Sequence, residues 1–285
     1  MLKSIRSHCG LAILLSYYLI FIGVPAISLF YFSLTDITVS NLTNPTFLGL
    51  TNYVKMVSEE RFVYNLLFTF ELVAYVVPIT FLMGLVFALF LNSGKLFLKP
   101  IASLLLVLPW VTPIVAWAMS VRYLFAPGGP YSILLEKVLG FPLRIFSDPV
   151  GSKLFLMINL VWISAPQATL FTISALSSVP RSVIEAARLD GAYGISLFRH
   201  IILPLIKEKL LIVLILIITF TIMAAEAILA FTGGGPGFVT ETLAVRMYTE
   251  GRMFHNFGYA SSIGVFLLII AFILGLMLLL LAKER

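Results

Sequence analysis

The stretch EAARLDGAYGISLFRHIILP, residues 185–204, is the part of the sequence that decides how the rest is interpreted. It is the longest polar interruption between two hydrophobic runs that is expected to face the cytoplasm, in a chain of which only 11% of residues are charged. Such a concentration of charge between apolar segments favours a surface on which another protein docks. The eight charged residues in and beside it are Arg181, Glu185, Arg188, Asp190, Arg199, Lys207, Glu208 and Lys209.

The local pattern predicts that this stretch folds as two short helices with a bend between them. Pro180 suits the first position of a helix and Ser178 can cap it, so a helix is predicted over residues 181–190. Gly191 then ends that helix at the C′ position. A second amphipathic piece follows, and we expect Pro204 to break it before the next apolar run. A helix pair that only seats the chain at the lipid headgroups would have the same pattern.

The composition excludes an ordinary soluble domain. Hydrophobic residues make up 60% of the chain, and the mean hydropathy is +1.07. Long continuous apolar runs are typical of membrane helices and not of β-barrel strands, in which apolar and polar residues alternate. The single cysteine, Cys9, excludes a disulfide framework and a cysteine metal site within the chain. The net charge of +6 is spread over short loops, which gives no sign of nucleic-acid binding.

Six apolar runs are long enough to cross a bilayer, for which about 20 residues are needed. We therefore predict an all-α, polytopic membrane protein with six transmembrane helices in one domain over residues 1–285. The second run is overlong, and Pro78 is expected to kink it. The predicted spans cover residues 11–32, 62–91, 100–125, 154–176, 210–231 and 259–282, and the long cytoplasmic loop covers residues 177–209.

The loop charges predict that both termini lie in the cytoplasm. In that orientation 11 of the 19 Lys and Arg residues fall in the inside segments, as the positive-inside rule requires. The first apolar run lacks a small-residue cleavage site. We therefore expect it to be a retained span and not a removed signal peptide.

Motifs at several points of the chain resemble those of one transporter family. The polar loop combines E-A-A, a Gly six residues after the Glu, and I-x-L-P near the next span. FLGLTNYVKMV (residues 47–57) follows the first span, VLPWVTPIVAWAM lies in the third, and TGGGPG (residues 232–237) precedes TETLAV and FGYASS. Together these motifs resemble the permease subunits of type I ABC importers, in the sugar and glycerol-phosphate branch with its maltose-type first permease subunit.

This resemblance implies a multi-pass subunit of an ATP-driven importer in the cell membrane, carrying a sugar, a polyol or a glycerol phosphate into the cytoplasm. The implied partners are a second homologous permease subunit, two ABC ATPases and an extracytoplasmic solute-binding protein. Such a subunit is not an enzyme and holds no cofactor, since ATP and Mg are bound by the ATPases. TGGGPG itself lacks the lysine of a phosphate-binding loop.

Two groups of residues take their roles from the resemblance. The turn formed by Gly233, Gly234, Gly235 and Pro236 would be an external gate or a contact for the binding protein. The residues expected to couple the permease to the ATPases are Glu185, Ala186, Ala187, Arg188, Asp190, Gly191, Ile201, Leu203 and Pro204.

Polar residues inside the spans are candidates for the solute pathway. Sugars are bound through hydrogen bonds to carboxylates and amides and through aromatic stacking, and the spans supply all three kinds of group. Each residue could instead satisfy a kinked helix or join two helices. The candidates are Glu226, Asn159, Trp162, Gln167, Tyr259, Ser262 and Glu71.

Three other functions compete with this interpretation. An ion-coupled secondary transporter would use Glu71 or Glu226 as its ion site and would work without an ATPase. A membrane-embedded enzyme would need a cluster of catalytic groups at one depth, and the sequence presents none. An ABC permease for peptides or amino acids would share the polar loop but not the external motifs.

Overall fold

The computed structural model of the chain describes residues 11, 14–92, 99–140 and 144–283. Within these ranges the regular structure is helical, and the only β pairing is two isolated bridges, Thr35 with Phe47 and Thr38 with Asn256. Cys9, the N-terminal basic residues and Arg285 lie outside the described residues.

Twelve helices make up the described part of the chain, and we number them in chain order. They are α1 (Leu14–Ser33), α2 (Thr51–Ser58), α3 (Glu60–Asn92), α4 (Lys99–Val111), α5 (Ile114–Phe125), α6 (Pro130–Leu139), α7 (Pro149–Ser177), α8 (Arg181–Leu189), α9 (Gly194–Ile222), α10 (Ala225–Phe231), α11 (Leu243–Tyr248) and α12 (Phe257–Lys283). A π-helical turn, Thr249–Met253, extends α11.

Four of the described helices, α1, α3, α7 and α12, are long and apolar enough to cross a membrane. The predicted third and fifth spans are each built from two helices joined by a bend. Counting each bent pair as one span gives up to six, the number predicted from the sequence. The helix α3 continues through Pro78 without a break.

The third span, predicted as one transmembrane helix over residues 100–125, consists of two helices with a bend between them. The helices α4 and α5 meet at an angle of 94°. Pro113 stands immediately before α5 with an extended ψ of 123°, and Thr112 precedes it. A proline disfavours helical backbone in the residue before it, so the chain turns here even though its hydropathy continues.

Pro204 does not break the second piece of the polar loop, contrary to the sequence prediction. The helix α9 runs on from Gly194 to Ile222 through a π-helical turn, Phe198–Ile202. The wider turn ends with the Leu203 N–H bonded to the Phe198 carbonyl, directly before the proline. A π turn absorbs the missing N–H and the ring of a proline that would otherwise interrupt the ladder. The π turn Leu19–Gly23 stands in the same relation to Pro25.

The chain forms two compact units. The first comprises Met1–Tyr64 and Arg246–Ile269. In this unit the Asn52 side chain on α2 donates to the carbonyls of Ser33, at 3.0 Å, and Thr35, at 2.8 Å. The Tyr53 hydroxyl is 2.7 Å from Ser33 Oγ. The motif FLGLTNY therefore packs against the end of the first span, because the Asn52 amide donates to backbone carbonyls at and just after the end of that helix.

The second unit comprises Asn65–Val245 and Ile270–Arg285. Its helices α3 and α7 cross at Gly84, where an added Cβ would lie 2.6 Å from the Cβ of Ala168. Small residues allow the two backbones to approach closely. An apolar cluster then joins the end of α7 to α9 beneath the polar loop. It contains Ala88, Ala175, Leu176, Val179, Ile206 and Leu210.

Candidate functional site

The helix α8 presents to solvent most of the residues that were predicted to couple the chain to an ATPase. Glu185, Ala186, Arg188 and Asp190 are exposed, and only Ala187 is buried. Among the described residues, Arg181 and Glu185 form no ion pair, although their spacing permits one. Arg181 and Glu185 are therefore not paired with each other, and their charges face outward from the described part of the chain.

Hydrogen bonds fix the end of α8 at Gly191. The Gly191 N–H bonds to the Arg188 carbonyl at 3.1 Å, and the Ala192 N–H bonds to the Ala187 carbonyl at 2.9 Å. These two bonds constitute a Schellman motif, which requires a left-handed residue at C′. Gly191 supplies it with φ of +87°. The predicted role of this glycine as the helix terminator is confirmed by its geometry.

The start of α8 differs in detail from the prediction. Pro180 is the N-cap residue and Arg181 the first helical residue. The Ser178 hydroxyl donates to the Ala175 carbonyl at 2.6 Å, so it closes the end of α7 and does not cap α8. Ser178 is the C-cap residue of a long helix, α7, whose last carbonyls lack partners within the helix. Its hydroxyl therefore donates to one of these carbonyls and not to the start of α8.

An exposed apolar rim surrounds the bend after α8, and the sequence analysis did not single it out. It consists of Leu189, Tyr193 and Ile195, which are 90%, 65% and 83% exposed. A group of exposed apolar side chains bordered by charged residues is typical of a surface that binds another protein. In the sequence these three residues stand close to Gly191, on both sides of it, but that spacing does not show whether the side chains are buried or exposed.

The other face of the loop is seated on the membrane helices. Ile184, Ile202 and Leu203 pack against the apolar cluster between α7 and α9. Ile201 is half-buried and Pro204 is exposed. One packed cluster therefore holds α8 against the ends of α7 and α9.

The TGGGPG turn is a closed structure at the end of α10. Gly233 has φ of +66°, and its N–H bonds to the carbonyl of Leu229 at 3.0 Å. Thr240 Oγ1 lies 2.7 Å from Thr232 Oγ1 and donates to the Gly235 carbonyl at 2.8 Å. The Gly235–Pro236 peptide is cis. Gly234 also has a positive φ, of +83°. Gly233 and Gly234 thus supply the left-handed backbone conformation with which the chain turns back after α10.

The predicted pathway residues of α7 lie at different cavities. Asn159 lines a cavity of about 610 Å³ with Trp117 and Tyr131, and its Nδ2 donates to the Phe155 carbonyl at 2.8 Å. Trp162 lines another of about 360 Å³. Gln167 is buried, and its amide forms no hydrogen bond among the described residues. Its amide atoms are not among the fully buried side-chain atoms that lack a partner in the described chain, so the amide reaches the surface of a spanning helix, where it can contact a solute or a second chain.

Glu226 lies in the first turn of α10, directly after a bend of 49° in the fifth span. Its side chain is exposed and makes no ion pair within the described chain. A carboxylate is costly to expose to hydrocarbon, so this position fits a water-filled pathway or a contact with a partner subunit.

Tyr259 and Ser262 were predicted as pathway residues, but the structure gives both a role inside the first unit. Tyr259 is 2% exposed, and its hydroxyl donates to Glu59 Oε2 at 2.8 Å. Ser262 is buried, and its hydroxyl donates to the Tyr259 carbonyl at 2.7 Å. Neither group is open to a solute in this arrangement. The sequence could not show this, because Tyr259 and Glu59 are 200 residues apart.

A charged cluster around Glu59 was also missed. Arg246 Nη2 lies 3.0 Å from Glu59 Oε2 and 2.9 Å from Glu250 Oε1. Burial raises the pKa of Glu250, while the charge of Arg246 opposes that rise. A compact cluster of this kind ties α11 and its π turn to the start of α3 within the first unit.

Comparison with known protein families identifies the family of this chain. Residues 80–284 match the family described as "Binding-protein-dependent transport system inner membrane component". The chain belongs to this family. The match covers α8, Gly191 and the bent fifth span, and it includes the last four predicted spans. The chain is therefore a multi-pass inner membrane subunit of a transport system, as predicted.

Curated relatives of this permease include sugar transport proteins. It is 30% identical to the trehalose/maltose transport system permease protein MalF of Thermococcus litoralis over 91% of this chain and 88% of that protein. It is 30% identical to the arabinooligosaccharides transport system permease protein AraP of Bacillus subtilis over 91% and 82%. It is 26% identical to the lactose transport system permease protein LacF of Rhizobium radiobacter over 84% and 82%.

Solved structures confirm the fold of the permease. A bacterial alginate ABC transporter, crystallised with an alginate pentasaccharide-bound periplasmic protein, superposes with a TM-score of 0.80 at 19% identity. The superposition covers 99% of this chain and 95% of that chain. The predicted type I importer fold is thereby confirmed.

Proposed function

We propose that this permease carries a sugar, such as a disaccharide or an oligosaccharide, into the cytoplasm as one of two membrane subunits of an ATP-driven importer. The observation that carries the proposal is α8. It is a helix with exposed charges, ended by a Schellman motif and seated on the cluster that joins α7 to α9. The relatives support the solute class, because their names include trehalose, maltose, lactose and arabinooligosaccharides.

The ATPases supply the energy in this mechanism. One of them holds α8 through charge-assisted bonds to Glu185 and Arg188 and through burial of the apolar rim. ATP closes the two ATPases, and α8 follows as a rigid body because its end is fixed at Gly191. The movement reaches α7 and α9 through Ile184 and Leu203, and the pathway switches from inward-open to outward-open. ATP and Mg bind the ATPases, and no cofactor is assigned to this chain.

On the opposite side of the membrane, a solute-binding protein delivers the sugar. The turn Gly233–Gly235 with Pro236 supports this role, because it is a closed structure and not a flexible linker. The second permease subunit covers exposed side chains of the spans, among them Trp162 and Glu226. Exposed polar groups in the spans then line a passage between the two subunits instead of facing lipid.

The test is uptake by the reconstituted importer. The permease is co-expressed with the second permease, the ATPases and the binding protein of its importer, and the complex is placed in lipid vesicles. ATP-dependent uptake of trehalose, maltose and lactose is then measured. We expect uptake of at least one sugar, lost when ATP or the binding protein is omitted and unchanged by an ionophore that collapses ion gradients. Uptake driven by an ion gradient without the ATPases would contradict the proposal.

A further inference from the structure

An ion pair between α3 and α7 lies beside a cavity in the second unit. Lys153 Nζ is 2.6 Å from Glu71 Oε2 and 4.9 Å from the centroid of the Phe68 ring. The side chains of Lys153 and Glu71 are 23% and 36% exposed. Both helices are apolar enough to cross the membrane, and a charged pair left open among such helices faces water or a polar ligand.

The cavity beside this pair can hold a small molecule. It has a volume of about 320 Å³ and is lined by Glu71, Tyr75, Val150, Lys153, Leu154 and Met157. That volume falls in the range of ligand-binding pockets, which combine apolar walls with a few polar groups.

The cavity continues along the groove between the two helices. A second cavity, of about 360 Å³, shares Tyr75, Leu154 and Met157 with the first and extends to Trp162. The Tyr75 and Trp162 rings are each about half exposed. The groove therefore presents a charged pair followed by two aromatic side chains.

We propose that Lys153 and Glu71 form a binding site for the hydroxyl groups of a neutral carbohydrate, with Tyr75 beside it as an apolar surface for the sugar ring. This inference rests on the proposed function. Lys153 supplies N–H donors and the Glu71 carboxylate accepts at two oxygens, so the pair offers a sugar both kinds of hydrogen-bond partner. Neighbouring hydroxyls of a sugar can accept from Lys153 and donate to Glu71 at the same time. Such bonds to charged groups are stronger than those between neutral groups.

The charge of the site selects neutral sugars over acidic ones. The charges of Lys153 and Glu71 cancel, so the site has no net charge. A neutral sugar can therefore bind through its hydroxyls without bringing an unpaired charge into the site. The carboxylate of a uronic acid would come to rest close to Glu71, and like charges at short range disfavour the charged form of both. Lys153 cannot offset this fully, because it already neutralises Glu71.

The experiment uses the complete importer in lipid vesicles and three single variants. Glu71→Gln and Lys153→Gln each remove one charge of the site. Lys137→Gln on α6 is the matched control, because Lys137 is exposed and does not line the cavity. Uptake of whichever sugar the wild type accepts among trehalose, maltose and lactose is measured at equal concentrations of loaded binding protein. Each site variant should lower the rate about tenfold or more, as loss of a hydrogen bond to a charged group implies, and the control should match the wild type.

A charge-swapped variant separates binding from structural support. Glu71→Lys combined with Lys153→Glu retains an ion pair but exchanges the positions of donor and acceptor. We expect this double variant to regain the melting temperature of the wild type while its uptake rate stays about tenfold low. Recovery of both would show that the pair only joins α3 to α7 and would overturn the inference, as would wild-type rates in the two single variants.

The wild type provides the remaining comparison. Uptake of an acidic disaccharide as fast as its neutral counterpart, at equal loaded binding protein, would also overturn the inference while leaving the importer function intact. Wild-type vesicles that import no sugar with ATP would instead refute the proposed function, and the inference with it.

Discussion

Single residues in this permease were predictable where the backbone conformation is local. Gly191 follows a helical stretch and precedes a new one, and its left-handed φ of +87° is the conformation that a helix terminator needs. Partners distant in sequence were not predictable. Glu59 binds Arg246 and Tyr259, which lie 187 and 200 residues away, so no local pattern could assign Tyr259 to a buried hydrogen bond.

Replacement of Gly191 should loosen the end of α8. Gly191→Val forces a β-branched residue into left-handed backbone, which costs about 1–2 kcal/mol or more. We expect amide hydrogen exchange at Ala192 to accelerate, because its N–H bonds across this residue to the Ala187 carbonyl. Gly191→Asn is the control, since asparagine tolerates this conformation, and its exchange should stay near the wild-type rate. Equal exchange rates in the two variants would contradict the assigned motif.

The loop after the first span should respond to acid through Asp36. Hydrogen bonds from the Thr46 hydroxyl and the Thr46 N–H, with a further one from Asn41, hold the pKa of Asp36 below its usual value of 3.8. A lowered pKa means that this carboxylate stabilises the loop above pH 3.8 and that the contribution is lost as pH falls through the lowered value. Exchange of the Thr46 amide, corrected for its intrinsic rate, should therefore accelerate at low pH. Asp36→Asn should show no such acid-dependent step.

At the scale of helices, hydropathy located the apolar runs and proline determined their shape. The predicted runs at 154–176 and 259–282 are continuous helices, α7 and α12, that begin a few residues earlier than predicted. The run at 100–125 turns by 94° before Pro113, whereas α9 passes Pro204 through a π turn. The same residue type gave opposite outcomes, because a π turn precedes Pro204, whereas α4 ends before Pro113 and Pro113 itself has an extended ψ of 123°. Hydropathy contains no information about that choice.

The crossing of α3 and α7 should depend on Gly84. A larger residue there meets the backbone of Ala168, so Gly84→Leu forces the helices apart and costs about 1–3 kcal/mol, or prevents folding. We expect a lower melting temperature of the purified protein and loss of assembly. Gly275→Leu is the matched control, because an added Cβ in α12 meets nothing within 4 Å. A crossing variant as stable as the control would show that the contact is not needed.

At the scale of the whole molecule, composition and the polar loop together indicated the class of protein. The fold and the family agree with that prediction. The exposed rim of Leu189, Tyr193 and Ile195 was not predicted, because exposure depends on how α8 is seated and not on hydropathy. The orientation with both termini inside stays a prediction from loop charge.

The most direct test of the account is ATP hydrolysis by the assembled importer in lipid, stimulated by loaded binding protein, in wild type and in Glu185→Lys. Glu185 is exposed on α8 and forms no ion pair within the described residues, so its reversal should leave the permease folded. Glu208→Lys on α9 is the control for the same change of charge. We expect the Glu185→Lys complex to assemble but to show at least tenfold less stimulation, and the Glu208→Lys complex to be stimulated like the wild type. Full stimulation in the assembled Glu185→Lys complex would contradict the role of α8 as the element that transmits ATPase movement to the spans.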